Sequence, residues 1–243
     1  MTRRSVPAIV FATRSGGTTI DQDAFGGNPF ATALIQLTSE EPIPLRQFPR
    51  RLRALTVHAS RRHQVPQWTR WPEQLSWSFR LRPGSRQERR CALVLIVSDY
   101  AGAGLAPLVG AANDERRISA MFGAHGFSVM QGVAPGRAAL LGALADFSRL
   151  AVKHDVAVVY CTGHGMEWNG GVYLLPGDYP LAHGCSPAKL RARAVTVDRI
   201  ATACRASRLN LVFFAGCRTL ASKTSANTGL QPPAGRVLSR RCD

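Results

Sequence analysis

Short apolar runs alternate with polar, glycine-bearing segments through most of the chain. Ala92-Leu93-Val94-Leu95-Ile96-Val97, Val156-Ala157-Val158-Val159-Tyr160 and Leu209-Asn210-Leu211-Val212-Phe213-Phe214 are the clearest of them. Runs this short, rich in β-branched and aromatic side chains, read as strands buried on both faces of a parallel sheet. Phe127 to Gly132 reads as another strand, and Val172-Tyr173-Leu174-Leu175 as a shorter one. Helical spacing fills the intervals, from about Ala111 to His125, Ala138 to Lys153 and Val197 to Ala206.

The first third has the same grain. Val6 to Thr13 predicts a strand, followed by a turn-rich loop from Arg14 to Asp23. Asn28 is placed to cap a helix with Pro29 at its first position, and Phe30, Ala33, Leu34 and Leu37 share one face of it. Leu45 to Ser60 predicts a second helix with Pro49 in its first turn. Trp77, Phe79 and Leu81 alternate with polar residues, as in a half-buried strand. Arg82 to Arg90 reads as a polar linker, and Thr219 to Asp243, rich in Ser, Thr, Pro and Gly, as a mobile tail. The alternation predicts an α/β fold, a mainly parallel sheet covered by helices on both faces.

Open α/β sheets bind ligands just beyond the carboxyl ends of their strands. One run stops at Cys161-Thr162-Gly163-His164-Gly165 and another at Ala215-Gly216-Cys217-Arg218. A thiol and an imidazole at one sheet edge are the minimum equipment for acyl transfer through a cysteine nucleophile. Alone, Cys217 would read as a small buried hydrophobe and His164 as a hydrogen-bonded partner. Glycines on both sides of His164 favour the chemical reading, because they let backbone approach a ligand. Cys161-x-x-His164, with Cys204 or Cys217, lacks the second ligand pair of a zinc site. Gly102-x-Gly104 lacks the third glycine of a dinucleotide loop. No cofactor is implied.

Composition narrows the setting. The 243 residues suffice for one sizeable domain with its own core, and no apolar run approaches the roughly 18 residues of a membrane span. The amino-terminal segment is too short in apolar residues for a secretory signal. Six cysteines at 91, 161, 185, 204, 217 and 242 lack the spacing of a disulfide framework, so a cytoplasmic location is expected. Net charge is +16, and Arg46 to Arg90 holds twelve arginines against two acids. That charge admits nucleic acid as a partner, but no aromatic interleaving or nucleic-acid motif accompanies it. The bland reading is a solvated arginine-rich face, and nothing in the sequence decides the oligomeric state.

Gly163-His164-Gly165 followed by Gly216-Cys217-Arg218 resembles the catalytic pair of the caspase-like (clan CD) peptidases, which include caspases, metacaspases and bacterial orthocaspases. Val97-Ser98-Asp99-Tyr100, the segment from Leu108 to Asp114, Gly126-Phe127 and Tyr173-Leu174-Leu175-Pro176 extend the likeness over residues 91–218, its large-subunit-like half. Phe11-Ala12-Thr13, Gly16, Asp21, Asn28-Pro29-Phe30, Ala33-Leu34 and His63-Gln64-Val65-Pro66 resemble the small-subunit-like half, which in most members follows the cysteine. The likeness therefore implies a caspase-like three-layer sandwich, circularly permuted in an order similar to type III metacaspases. Its six-stranded sheet would run 2-1-3-4-5-6 with strand 6 antiparallel and formed by about Ser76–Leu81. The nine residues of the linker, spanning up to ~30 Å extended, could then cross the ~19 Å between that strand's end and Ala92.

The resemblance also implies roles. His164 would be the general base toward Cys217, with the N–H groups of Gly165 and Cys217 as oxyanion hole. Asp114 and Asp21 would bind a basic side chain of a protein or peptide substrate, giving a cysteine endopeptidase that cleaves after Arg or Lys. Their plainer readings are a helix-capping residue and a turn residue. Ala215 departs from the family, whose metacaspases and orthocaspases carry aspartate two residues before the cysteine. That departure supports the rival reading, a catalytically inactive caspase-like binding module.

Overall fold

The apolar runs lie side by side at the centre of the molecule. The computed structural model describes residues 6–40, 43–80, 88–104, 106–133, 136–180 and 186–220. Its main sheet is built from β1 (Ala8–Phe11), β2 (Gln67–Thr69), β3 (Arg90–Ile96), β4 (Phe127–Val133), β5 (Val156–Thr162) and β9 (Leu209–Phe214). The spatial order is β2-β1-β9-β5-β3-β4, with β2 antiparallel to β1 and all other pairs parallel. Every residue of β3, β5 and β9 is buried, which is why these strands lack a polar face.

Alternate strand residues feed two cores. Leu93, Leu95, Val159, Val212 and Phe214 pack on one face with α4 (Arg137–Ala151) and α6 (Val197–Ala203). Val94, Ile96, Val158, Leu211 and Phe213 pack on the other with α1 (Pro29–Ser39), α2 (Phe48–Ala59) and α3 (Val109–Ala124). Asn28 caps α1 as expected, its side chain accepting from the Phe30 N–H at 2.8 Å. The helix expected over Leu45–Ser60 divides into a single 3₁₀ turn, Leu45–Gln47, and α2. No described helix is long and apolar enough to cross a membrane.

A second sheet, of order β10-β6-β7-β8, hangs over the carboxyl edge of the first. It contains β6 (Gly165–Trp168), β7 (Gly171–Leu174), β8 (Val195–Thr196) and β10 (Thr219–Leu220), with the short α5 (Pro187–Arg193) preceding β8. The start of the expected tail is thus a strand, and residues 221–243 lie outside the described residues.

The strand expected at Ser76–Leu81 is a correction. The described part has no strand pairing, and the antiparallel edge strand is Gln67–Thr69 instead. Trp77 and Phe79 are buried because they join the aromatic cluster of Phe48, Phe127 and Phe213. Their segment's carbonyls are satisfied by a guanidinium, Arg90 donating to the oxygens of Phe79 and Ser78. Aromatic burial, not a ladder, produced the alternation. The linker crossing inferred from that strand loses its starting point, and Leu81–Gln87 lie outside the described residues.

Candidate active site

β5 and β9 are neighbours, with Cys161 opposite Phe214, so the chain leaves both strands at one edge. His164 follows β5 and Cys217 follows β9. The two exits interlock through glycine. A Cβ on Gly165 would stand 2.2 Å from the Cys217 carbonyl oxygen, so only a bare α-carbon permits this approach. Gly163 has φ +151°, and a Cβ there would lie 2.7 Å from the Tyr100 hydroxyl.

Tyr100 fixes the histidine. Its buried hydroxyl accepts from the His164 N–H at 2.7 Å and donates to the Leu175 carbonyl at 2.8 Å. Its ring meets the imidazole edge-on, with centroids 4.5 Å apart. The Leu175 N–H closes the arrangement on the His164 carbonyl at 2.9 Å. Burial holds the imidazole below its ordinary pKa, and the negative charge of Asp21 offsets part of that effect. The ring is therefore neutral near pH 7 and able to accept a proton.

The cysteine is approached by the loop between β1 and α1. Thr19 directs both its N–H (3.2 Å) and its hydroxyl (3.3 Å) at Cys217 Sγ. Among the described residues no hydrogen bond joins the His164 ring to that sulfur. The flanking residues are tied elsewhere, Thr18 Oγ1 to His63 Nε2 at 2.9 Å and the Ile20 N–H to Gln64 Oε1 at 3.1 Å. Asn28 Nδ2 donates to the carbonyls of Ile20 (2.9 Å) and Ala215 (3.4 Å), and its Oδ1 accepts from Gln64 Nε2. This buried amide pair pins the loop to the segment between β9 and Cys217.

An ion pair braces the other side. Arg218 Nη2 lies 3.0 Å from Glu167 Oε2, Nη1 donates to Gln67 Oε1 at 2.9 Å, and the guanidinium covers the Phe11 ring at 4.4 Å. Ser15 Oγ donates to Glu167 Oε1 at 2.9 Å. Because Glu167 sits on β6, three residues past His164, the pair links the histidine hairpin to the residue after the cysteine.

The expected substrate carboxylates are already engaged. Asp21 caps α3, its two oxygens accepting from the N–H groups of Gly110 (3.0 Å) and Ala111 (3.1 Å). Asp114 is 0 % exposed. It accepts from Tyr160 (2.9 Å), Arg117 (3.0 Å) and the Asn28 N–H (3.3 Å). Burial pushes its carboxyl up to about 7, against the pull of Tyr160 and Arg117. Cys161 is a core residue, its thiol raised well above the ordinary range by complete burial.

Residues 89–235, more than half of the chain, match the model of the caspase domain, a cysteine peptidase family. The chain belongs to the caspase domain family. No curated protein matches it. The matched segment of this caspase domain holds both His164 and Cys217, while β1 and β2, which complete the main sheet, and α1 and α2, which pack on one face of it, precede the match. Sequence reasoning brought forward His164, Gly165, Cys217 and Asp21, which the fold gathers at one edge. It missed Thr19, Glu167 and the pairing of Arg218 with Glu167, and it used Tyr100, Gln64 and Arg218 only as parts of motifs.

Proposed function

We propose that the chain is a cysteine endopeptidase acting through a Cys217–His164 dyad and cleaving after Arg or Lys. The observation that carries this reading is the backbone contact between the His164 and Cys217 loops at the carboxyl edge of neighbouring strands. Neutral His164 takes the Sγ proton, and the sulfur attacks the scissile carbonyl carbon. The resulting oxyanion is held by the N–H groups of Gly165 and Cys217. The imidazolium then protonates the leaving amine, and water, deprotonated by His164, hydrolyses the thioester.

A basic side chain would have to share Asp21 with the N–H groups of α3, and would reach the buried Asp114 only by displacing Arg117. The chain order is read as a circular permutation of the metacaspase type, because the elements outside the family match supply β1 and β2 beside β9. The test is cleavage of fluorogenic peptides ending in Arg, Lys or Asp, with Cys217→Ala and His164→Ala as controls. Cleavage after Arg or Lys, lost in both variants, is expected. Cleavage after Asp would keep the enzyme and overturn the pocket. Silence from folded wild type, with and without calcium, would favour the binding module instead.

A further inference from the structure

Four consecutive residues of the β1–α1 loop are each tethered, and three of the tethers are structural. Thr18 goes to His63, Ile20 to Gln64 and Asn28, and Asp21 to the first turn of α3. Thr19 alone spends both its polar groups on the sulfur of Cys217. The N–H donates to the sulfur, and the hydroxyl, which can donate to or accept from a thiol, can only donate to a thiolate; on a segment clamped on either side, the two suit an acceptor that carries charge. A thiolate is a far better acceptor than a thiol, so such donors favour the ionised form.

We propose that Thr19 is a catalytic residue that stabilises the Cys217 thiolate, its hydroxyl and N–H forming a cradle for Sγ. The inference rests on Cys217 being the nucleophile. When His164 takes the thiol proton, the electron pair stays on sulfur and both Thr19 hydrogens remain on their own atoms. No other reactant is needed. The cradle also holds Sγ while the ring of His164, fixed by Tyr100, receives the proton. Of the other titratable groups, Tyr100 lies near enough to the sulfur to feel its charge, Asp21 acts on His164, and His63 reaches the loop through Thr18. Arg218 follows it in the chain but has its guanidinium on Glu167, Gln67 and Phe11.

The test is the pH dependence of Cys217 alkylation by iodoacetamide, read by peptide mass spectrometry in wild type, Thr19→Ser, Thr19→Val and Thr19→Ala. Thr19→Ser keeps the hydroxyl and should follow wild type. Thr19→Val keeps shape and N–H but loses the hydroxyl donor. Its alkylation midpoint should move up by about one pH unit, an approximately tenfold smaller thiolate fraction below the midpoint. Thr19→Ala should move the same way, which separates loss of the donor from crowding by valine. Coincident profiles for folded wild type, Thr19→Val and Thr19→Ala would overturn the proposal. So would faster alkylation of the valine variant, which would mean the contacts restrain the thiol. Alkylation needs no substrate, so a shifted profile in a protein that cleaves no peptide would sustain the cradle while the peptidase reading failed.

Discussion

The main sheet carries a buried arginine–glutamate pair at each end, and the two differ in how completely they are bonded. At the amino edge Arg90 donates to Glu88 at 2.7 Å and to the carbonyls of Phe79, His125 and Ser78. Glu88 also receives Trp77 and Arg208, both at 2.9 Å, and Arg90 stacks on Trp77 and Phe127. At the carboxyl edge Arg218 and Glu167 approach within 3.0 Å, yet Arg218 Nε and Glu167 Oε2 are buried without an aligned hydrogen bond among the described residues. Thr13 Oγ1, Asp23 Oδ2 and Trp168 Nε1 are unmatched in the same way. Buried polar groups are normally satisfied, and departures concentrate where a protein has a second use for the region. The amino-edge cluster replaces a strand ladder. The carboxyl-edge cluster links the His164 and Cys217 loops and leaves some of its own polar atoms without an aligned partner among the described residues.

The largest effect should separate these roles. Arg90→Ala strips Glu88 of its buried ion-pair partner and removes a donor from three carbonyls, which should cost ~3–5 kcal/mol in urea unfolding. Arg90→Met, which keeps part of the stem, gives a folded fallback. Peptide cleavage per folded molecule should hardly change in either variant. Arg218→Gln should reverse the balance, losing less stability but at least about tenfold in kcat/KM, a ~1.4 kcal/mol loss of transition-state stabilisation. An Arg218→Gln protein that cleaves normally would erase the distinction.

A single hydroxyl or N–H at each end sharpens it. Tyr100→Phe removes the acceptor for the His164 N–H and the donor to Leu175 while keeping the ring contact. Stability should fall by ~1–2 kcal/mol, with kcat/KM reduced several-fold through kcat rather than KM. Trp77→Phe also removes one donor, but Glu88 keeps Arg90 and Arg208, so its stability cost should be ~1 kcal/mol or less and cleavage unchanged. Equal kinetic effects from the two variants would show that Tyr100 merely holds the fold together.

What could be read beforehand follows the same division. β3, β5 and β9 were legible because burial on both faces leaves no polar register to misplace. His164 and Cys217 were legible because strand ends deliver them. β7 was expected as a short strand, but its partner β6 went unread despite a usable signal, Asn169-Gly170 between their ends, where both residues have positive φ as a tight hairpin requires. Ser76–Leu81 misled because alternation reports which side chains are buried and not what their backbone pairs with. Thr19 and the Arg218–Glu167 pair depend on contacts spanning 198 and 51 positions, which no local pattern encodes.

The smallest effect concerns Asp21, which belongs to both kinds of contact. It caps α3 with two oxygens and places its charge near His164. That charge favours the protonated imidazole, against the dominant effect of burial, which favours the neutral ring. Asp21→Asn keeps one carbonyl acceptor for the cap and removes the charge. With the offset gone, the His164 pKa should fall further. Because the acid limb of kcat/KM marks the pH at which the base takes up its proton, that limb should move to lower pH. Loss of a binding carboxylate for basic substrates would instead lower kcat/KM at every pH without moving the limb. The position of the limb therefore reports the dyad, and its height reports the pocket. An acid limb that moves upward, or one that stays fixed in a folded Asp21→Asn protein, would remove Asp21 from the electrostatics of His164 and leave it only the cap.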